Sequence, residues 1–493
     1  MKRPVIPAFL AMAVPAAATN VVILIADDLG VMDVGFNNPA TFYETPRLDA
    51  LAQQSVRFRN AYSASPVCSP TRSAILTGRH PARTRNTDYF GAPNEFKEIP
   101  ASYQPARDGR FGKLSGRPVL PAPYLGRLDA THVTLAEAFK ARGHATMHAG
   151  KWHLGPQGSW PEDHGFDVNA GGHTAGGPYG GSGYFSPYGN PKLKDGPAGE
   201  HLPDRLASEA AAFIAANRDR PFLLHLAFYS VHTPLMGRPD LVAKYQAKKQ
   251  RLGLQPASAP EPPRRNRTIQ EHAVYASMVD AMDQAAGKVL DALDRNRVAD
   301  DTIVIFTSDN GGLSTSEGSP TSNLPWRAGK GWAYEGGIRV PLLVRWPGKA
   351  KAGAVCDAPV VPMDFYPTLL EACGHDPLPG QHLDGVSMVP LLRNPAEKPA
   401  PRPLFWHYPH WGNQGGIPFS AIRDGAWKLI SFDWRKGSEL YHLEQDPGER
   451  HDLKAAHPET AARLRRRLDA FLSETRALRT TPNPSPASPF DEW

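Results

Sequence analysis

Six consecutive apolar residues, Val21 to Ala26, run straight into Asp27-Asp28-Leu29-Gly30. A short, continuous, β-branched run of this kind predicts a strand buried on both faces, as in a parallel sheet covered by helices. The pattern recurs. Ala145 to His148, Pro221 to Phe228, Thr302 to Thr307 and Val340 to Arg345 read as further strands. Between them, Arg47 to Gln54, Thr134 to Arg142, Pro203 to Asn217, Thr268 to Asn296 and Met363 to Cys373 read as helices. The second has a capping box, Thr134 with Glu137, and a stop at Gly143. Such alternation predicts an α/β fold with a large, mostly parallel or mixed central sheet flanked by helices. From about Pro401 short apolar segments, Phe419 to Arg423 and Trp427 to Ser431, alternate with turns such as Asp424-Gly425. They precede a helix from about Pro458 to Arg476. The expected division is an α/β domain over 19–400, a C-terminal subdomain of antiparallel sheet plus helix over 401–480, and a flexible tail over 481–493.

The strand ends carry the chemistry. Ligands of open α/β sheets bind outside the carboxyl ends of the strands. Asp27 and Asp28 stand at one such end, and Asp309 and Asn310 follow the Thr302 strand. Adjacent carboxylates repel unless a cation sits between them, so the four together suit an oxygen cage for Ca²⁺ or Mg²⁺. Alone, Asp-Asp after a strand serves equally as a turn or a helix cap. Gly150-Lys151-Trp152-His153-Leu154-Gly155 follows another strand. In an extended stretch Lys151 and His153 share a face, which suits an anion and a proton transfer, or else an exposed basic loop. His232, in Ser230-Val231-His232-Thr233-Pro234, is again at a strand end, as a structural or a catalytic histidine.

Cys68-Ser69-Pro70-Thr71-Arg72 opens a predicted helix whose apolar stretch, Ala74 to Leu76, stops at Gly78. Cys68 is thus placed at a helix N-terminus, where the dipole and free N–H groups favour anions. Arg72, one turn on, can reach back to the same spot.

Cys68-x-Pro70-x-Arg72 followed by Leu76-Thr77-Gly78-Arg79 resembles the signature of the type I sulfatases, within the alkaline phosphatase superfamily. The Gly150 to Gly155 run, His232-Thr233-Pro234, the element from Lys330 to Pro341 and Leu383-Asp384-Gly385-Val386-Ser387 are also similar to that family, the last in a structural role. The resemblance extends from about Asn20 to Leu453. It implies that Cys68 is oxidised to formylglycine, whose hydrate is the nucleophile. It implies a divalent cation, commonly Ca²⁺ with Mg²⁺ open, held by Asp27, Asp28, Asp309, Asn310 and the modified Cys68. Lys151, His232 and Lys330 would hold the sulfate, and Arg72 would steady the hydrate. His232 or Lys330 would protonate the leaving alcohol, and His153 would take the proton that re-forms the aldehyde. The implied substrate is a sulfated small molecule or glycan, and the implied partner is a formylglycine-generating maturation enzyme. A phosphonate or phosphate monoester hydrolase of the same superfamily and a non-catalytic secreted glycan-binding relative stay open as alternatives.

The remaining features bound the picture. Lys2-Arg3, the apolar run Val5 to Val14 and Ala16-Ala17-Ala18 have the order of a secretory signal over 1–18, which places the protein in the periplasm or outside the cell. Pro4, Pro7 and Pro15 interrupt it, as in a ragged tail. No other stretch reads as a membrane span. The net charge of +6 suits an anionic substrate but is diffuse, and no aromatic-interleaved basic stretch argues for nucleic acid. The clusters Arg264-Arg265 with Arg267, and Arg463 with Arg465 to Arg467, read as solvated surface. The long segment Pro81 to Leu128 is expected to supply part of a pocket rim. Ala170 to Gly189, with His173, Tyr179 and Tyr184, reads as a sugar-sized pocket wall or a plain connector. Cys356 and Cys373 are either a bonded pair or two buried thiols.

Overall fold

In the computed structural model, which describes residues 19–99, 116–434 and 437–483, Asn20–Ala26 is a strand with every residue buried. The expected signal over 1–18 lies outside the described residues. Side chains alternate across a strand, and here they divide the core in two. Val22, Leu24 and Ala26 face helices Leu202–Ala216 and Ala273–Arg295. Val21, Ile23 and Ile25 face helices Cys68–Thr77, Leu135–Lys140 and Phe365–Ala372. A strand with helices on both sides has no solvated face, which is why the run carries no polar alternation.

The sheet has eight strands in the order Val355–Cys356, Val56–Phe58, Leu342–Arg345, Thr302–Ser308, Asn20–Ala26, Phe222–Ala227, Ala145–Gly150 and Val168–Ala170. The five from Thr302–Ser308 to Val168–Ala170 run parallel, and Leu342–Arg345 pairs antiparallel. The sheet is therefore mixed, as expected, and four neighbouring strands bring their carboxyl ends to one edge.

The long helix begins at Ala273 rather than at Thr268. The intervening side chains are engaged elsewhere: Gln270 donates to Asp33, and Glu271 pairs with Lys249 and Arg267. His272 caps the helix by accepting from the Tyr275 N–H at 3.2 Å. Cys356 and Cys373 are free thiols, so the bonded alternative is not formed. The expected tail starts as a paired segment, Thr481–Pro482 against Val119–Leu120, too short to leave a periodic signal.

Strands Leu404–Tyr408, Phe419–Asp424, Trp427–Phe432 and Gly437–His442 form an antiparallel meander. Its inner face packs Trp406, Ala421 and Ile430 against Tyr62, Val67 and Trp332. Its outer face packs Ile422, Leu429 and Leu440 under Leu464, Leu468 and Leu472 of helix Pro458–Glu474. A buried charge network fastens the junction. The Lys428 ammonium lies 3.0 Å from Glu335 and 2.8 Å from Glu449. Glu335 also accepts from the Tyr62 hydroxyl at 2.8 Å and pairs with Arg339 at 2.9 Å.

Burial pushes Glu449 up to about 7, with Lys428 opposing and Glu335 assisting. The folded chain thus holds a proton that the unfolded chain, near the ordinary 4.5, releases. This contribution to stability is full below the unfolded value and is lost as pH rises through the folded one. Denaturant midpoints of the wild type and Glu449→Gln between about pH 5 and pH 8 check this. The variant is expected to gain relative to the wild type as pH rises; parallel curves would contradict it.

Candidate active site

Each strand end is tied to its neighbour by backbone bonds, which fixes the side chains beyond it. The Asp27 N–H donates to Ser230 at 2.9 Å, and Asp309 to Ala26 at 3.2 Å. The Lys151 N–H donates to Ala227 at 2.8 Å. Gly150 has φ +90°, and a Cβ there would sit 1.9 Å from the Ala227 carbonyl, so this close approach needs glycine. Helix Cys68–Thr77 starts at Cys68 itself and ends at Gly78 in the left-handed conformation. Lys330 arrives on a loop whose backbone donates to Gly312 at 3.1 Å and, from Gly331, to Pro66 at 2.8 Å.

These ties bring Asp27, Asp28, Cys68, Arg72, Lys151, His153, His232, Asp309, Asn310 and Lys330 together, all buried. Arg72 donates from Nε to Asp309 at 2.9 Å and from Nη1 to the Lys151 carbonyl at 2.9 Å. Lys151 Nζ lies 2.7 Å from Asp27, and Lys330 Nζ 2.8 Å from Asp28. Cys68 Sγ is 3.7 Å from Asp27 Oδ1. Asn310 Nδ2 donates to Asp28 at 2.8 Å.

Oxygens of Asp27, Asp28 and Asp309 lie within 4.8 Å of one another. Asn310 Oδ1, a buried acceptor beside them, has no hydrogen-bond partner among the described residues. Burial pushes Asp27 well above the ordinary carboxylate range despite Lys151, with Asp309 and Asp28 adding repulsion. Burial also opposes ionisation of Asp28, but the Lys330 ammonium holds it below that range. An all-oxygen donor set with a spare buried acceptor fits a hard divalent cation.

The two histidines are neutral for the same reason. Burial and Lys330 bring His232 down to about 3; its Nδ1 is 2.7 Å from the Thr233 carbonyl and must carry the hydrogen. That leaves Nε2 without a proton, 3.7 Å from Asp28. Burial and Lys151 hold His153 well below its usual value. Its Nε2 donates to the Phe90 carbonyl at 2.8 Å, so Nδ1 is a buried acceptor without a partner among the described residues. Burial pushes the Cys68 thiol up to about 12 against the pull of Lys151 and Lys330.

The site opens into a cavity of about 400 Å³ lined by Cys68, His153, His232 and Lys330, with Tyr89, Phe90 and Tyr179 among its walls. The rim expected in Pro81 to Leu128 is supplied by Tyr89 and Phe90; residues 100–115 lie outside the described residues. Ala170 to Gly189 serves both readings. Tyr179 lines the cavity, whereas Tyr184 is buried beneath it and donates to the Tyr229 and His232 carbonyls at 2.6 and 2.9 Å. Glu317, Asn413 and Gln414 also line it and were missed by sequence reasoning. They sit on loops with no strand or periodic signal ahead of them.

The family described as Sulfatase matches residues 19–375, and that described as N-sulphoglucosamine sulphohydrolase, C-terminal, matches 327–477. A sulfatase of Formosa agariphila is 30% identical, over 93% of this chain and 89% of its own length. Steryl-sulfatase of Mus musculus is 30% identical, over 95% of this chain and 83% of its own. The crystal structure of Ps i-CgsB in complex with k-i-k-neocarrahexaose superposes with a TM-score of 0.71 at 27% identity, covering 92% of each chain.

Burial thus favours the protonated form of the Cys68 thiol. In protein made without a maturation enzyme, alkylation of native Cys68 near neutral pH is expected to run at least about a hundredfold slower than that of a free thiol. Rapid labelling, read by peptide mass, would show a thiolate there.

Proposed function

The chain belongs to the sulfatase family and is a sulfuric ester hydrolase; from that premise we propose that it cleaves the sulfate ester of a carbohydrate, using a formylglycine at Cys68 and a divalent cation. The observation that carries the reading is the convergence of Lys151, Lys330 and His232 on the helix N-terminus that presents Cys68. A sulfate monoester is anionic, so its attack needs positive groups around the peripheral oxygens, arranged before the reaction starts.

Asp27, Asp28, Asp309 and Asn310, with the modified residue 68, would hold Ca²⁺ or Mg²⁺. Bound there, the cation would supply charge stabilisation to one sulfate oxygen and to the attacking oxygen. Oxidation of Cys68 removes the thiol, and the hydrated aldehyde offers two hydroxyls, one to attack sulfur and one to drive release of sulfate.

The chain's own residues do the rest. Lys151 and Lys330 are buried ammonium groups whose charge is held by Asp27 and Asp28, so they meet the sulfate already oriented. Arg72 ties Asp309 to the Lys151 loop and stands one turn from residue 68, where it steadies the hydrate. His153 Nδ1, unprotonated and without a partner among the described residues, is the acceptor for the second hydroxyl's proton. Of the two groups expected to protonate the leaving alcohol, Lys330 is the better candidate, because burial and the Lys330 charge disfavour a proton on His232.

The carbohydrate rests on the walls of the cavity. Tyr89, Phe90 and Tyr179 offer faces for a sugar ring. Ps i-CgsB, similar over nearly its whole length, binds an oligosaccharide. The N-terminal segment 1–18 fits an exported enzyme, and among the described residues no helix is long and apolar enough to cross a membrane.

Three outcomes are expected of maturely modified enzyme. The kcat/KM on 4-nitrophenyl sulfate exceeds that on 4-nitrophenyl phosphate at least about tenfold; the reverse order would favour the phosphate or phosphonate alternative. Lys330→Ala lowers kcat/KM on the sulfate by about 10²–10³, and a loss below about threefold would remove Lys330 from the chemistry. A chelator abolishes turnover and added Ca²⁺ or Mg²⁺ restores it; full activity after exhaustive chelation would contradict the metal.

A further inference from the structure

The floor of the cavity is cationic, yet its wall carries a carboxylate. Glu317 is the acidic residue among the described residues lining it. It is placed there at a conformational cost: its φ is +53°, in the left-handed region that glutamate rarely adopts. Its Oε1 accepts from Gln414 Nε2 at 2.7 Å, with Asn413 Nδ2 at 3.5 Å. Oε2 lies 3.5 Å from Thr233 Oγ1, the outer limit of a hydrogen bond, and so keeps acceptor capacity for a donor in the cavity. A carboxylate oxygen of Glu317 is within 4.8 Å of both a His232 nitrogen and an Asp28 oxygen. This puts it in the same cavity as His232 and Lys330, the two groups expected to meet the leaving alcohol.

An acceptor-only group at that place has a definite chemical preference. It pairs with O–H or N–H donors and repels anions. We propose that Glu317 is a specificity residue: it accepts a hydrogen bond from a hydroxyl or N–H group next to the ester-bearing carbon, and it excludes sugars with a second anionic group there. The inference rests on the sulfatase reading and narrows its substrate class to sugars with a neutral or cationic neighbour to the sulfate. Gln414, fixed by Thr315 Oγ1 and Trp332 Nε1 donating to its carbonyl at 3.1 and 3.0 Å, positions the carboxylate.

The test compares modified wild type with Glu317→Gln, which keeps the shape and an oxygen for Gln414. The substrates are 4-nitrophenyl sulfate, which has no hydroxyl donor, and a panel of monosulfated hexosides with their vicinally disulfated counterparts. For the preferred monosulfated hexoside, kcat/KM of the variant is expected to fall about tenfold or more. For 4-nitrophenyl sulfate it is expected to stay within about twofold, and the disulfated sugar is expected to gain relative to the monosulfated one. Equal losses on the aryl and sugar sulfates would make Glu317 structural, and no change on either would make it a bystander; both overturn the proposal. A wild type that cleaves no sulfate ester would instead overturn the parent reading. In that case calorimetry with the unsulfated hexoside still decides the matter: affinity that is the same in wild type and variant contradicts a hydroxyl-binding Glu317, and affinity lost in the variant supports it.

Discussion

Carboxylates buried side by side repel, and three of them stand at one edge of this sheet. Asp27, Asp28 and Asp309 are fully buried within a few ångströms of each other. Lys151, Lys330 and Arg72 each reach one of them, from three separate segments of the chain. The cations do not cancel the problem, since burial and mutual repulsion still push Asp27 upward. The site thus has a surplus of oxygen donors and an idle Asn310 oxygen, the electrostatic condition that a divalent cation relieves. Folding energy spent on holding this cluster together yields buried positive groups around Cys68 that are already in place before any anion arrives.

The rest of the molecule can be understood as support for that edge. Parallel strands bring four carboxyl ends into line beside the Cys68 helix, and the antiparallel meander holds the Lys330 loop in place. The Lys330 loop continues into Tyr334 and Glu335, and Glu335 is clamped by Lys428 of the meander and by Arg339 and Tyr62. Removing one partner from such a network leaves a buried charge uncompensated, which costs far more than the network contributes. The meander therefore does two things: it anchors the loop that carries Lys330, and through Asn413 and Gln414 it supplies part of the cavity wall.

Much of this was legible in the residues. The double-sided burial of Val21 to Ala26 required helices on both faces, and residues immediately beyond strand ends, such as Asp27 or Lys151, can hardly avoid the carboxyl edge. What lay in loops was not legible. Glu317 owes its position to a left-handed turn, and Gln414 to a glycine-rich bend between two strands; neither has a period or a spacing to betray it. The late start of the helix at Ala273 had the same cause, because Gln270 and Glu271 are used in tertiary pairs that override a continuous helical pattern. The pairing of Thr481–Pro482 depends on a partner more than three hundred residues away in the chain, which local reasoning cannot see.

The proposed chemistry depends on residue 68 being a formylglycine held over this charged edge. The most direct measurement is the peptide mass of residue 68 in protein purified from its natural host, taken together with specific activity across preparations of differing modification. A formylglycine mass and an activity that scales with the modified fraction are expected. Full activity from protein whose residue 68 is an unmodified thiol would contradict it.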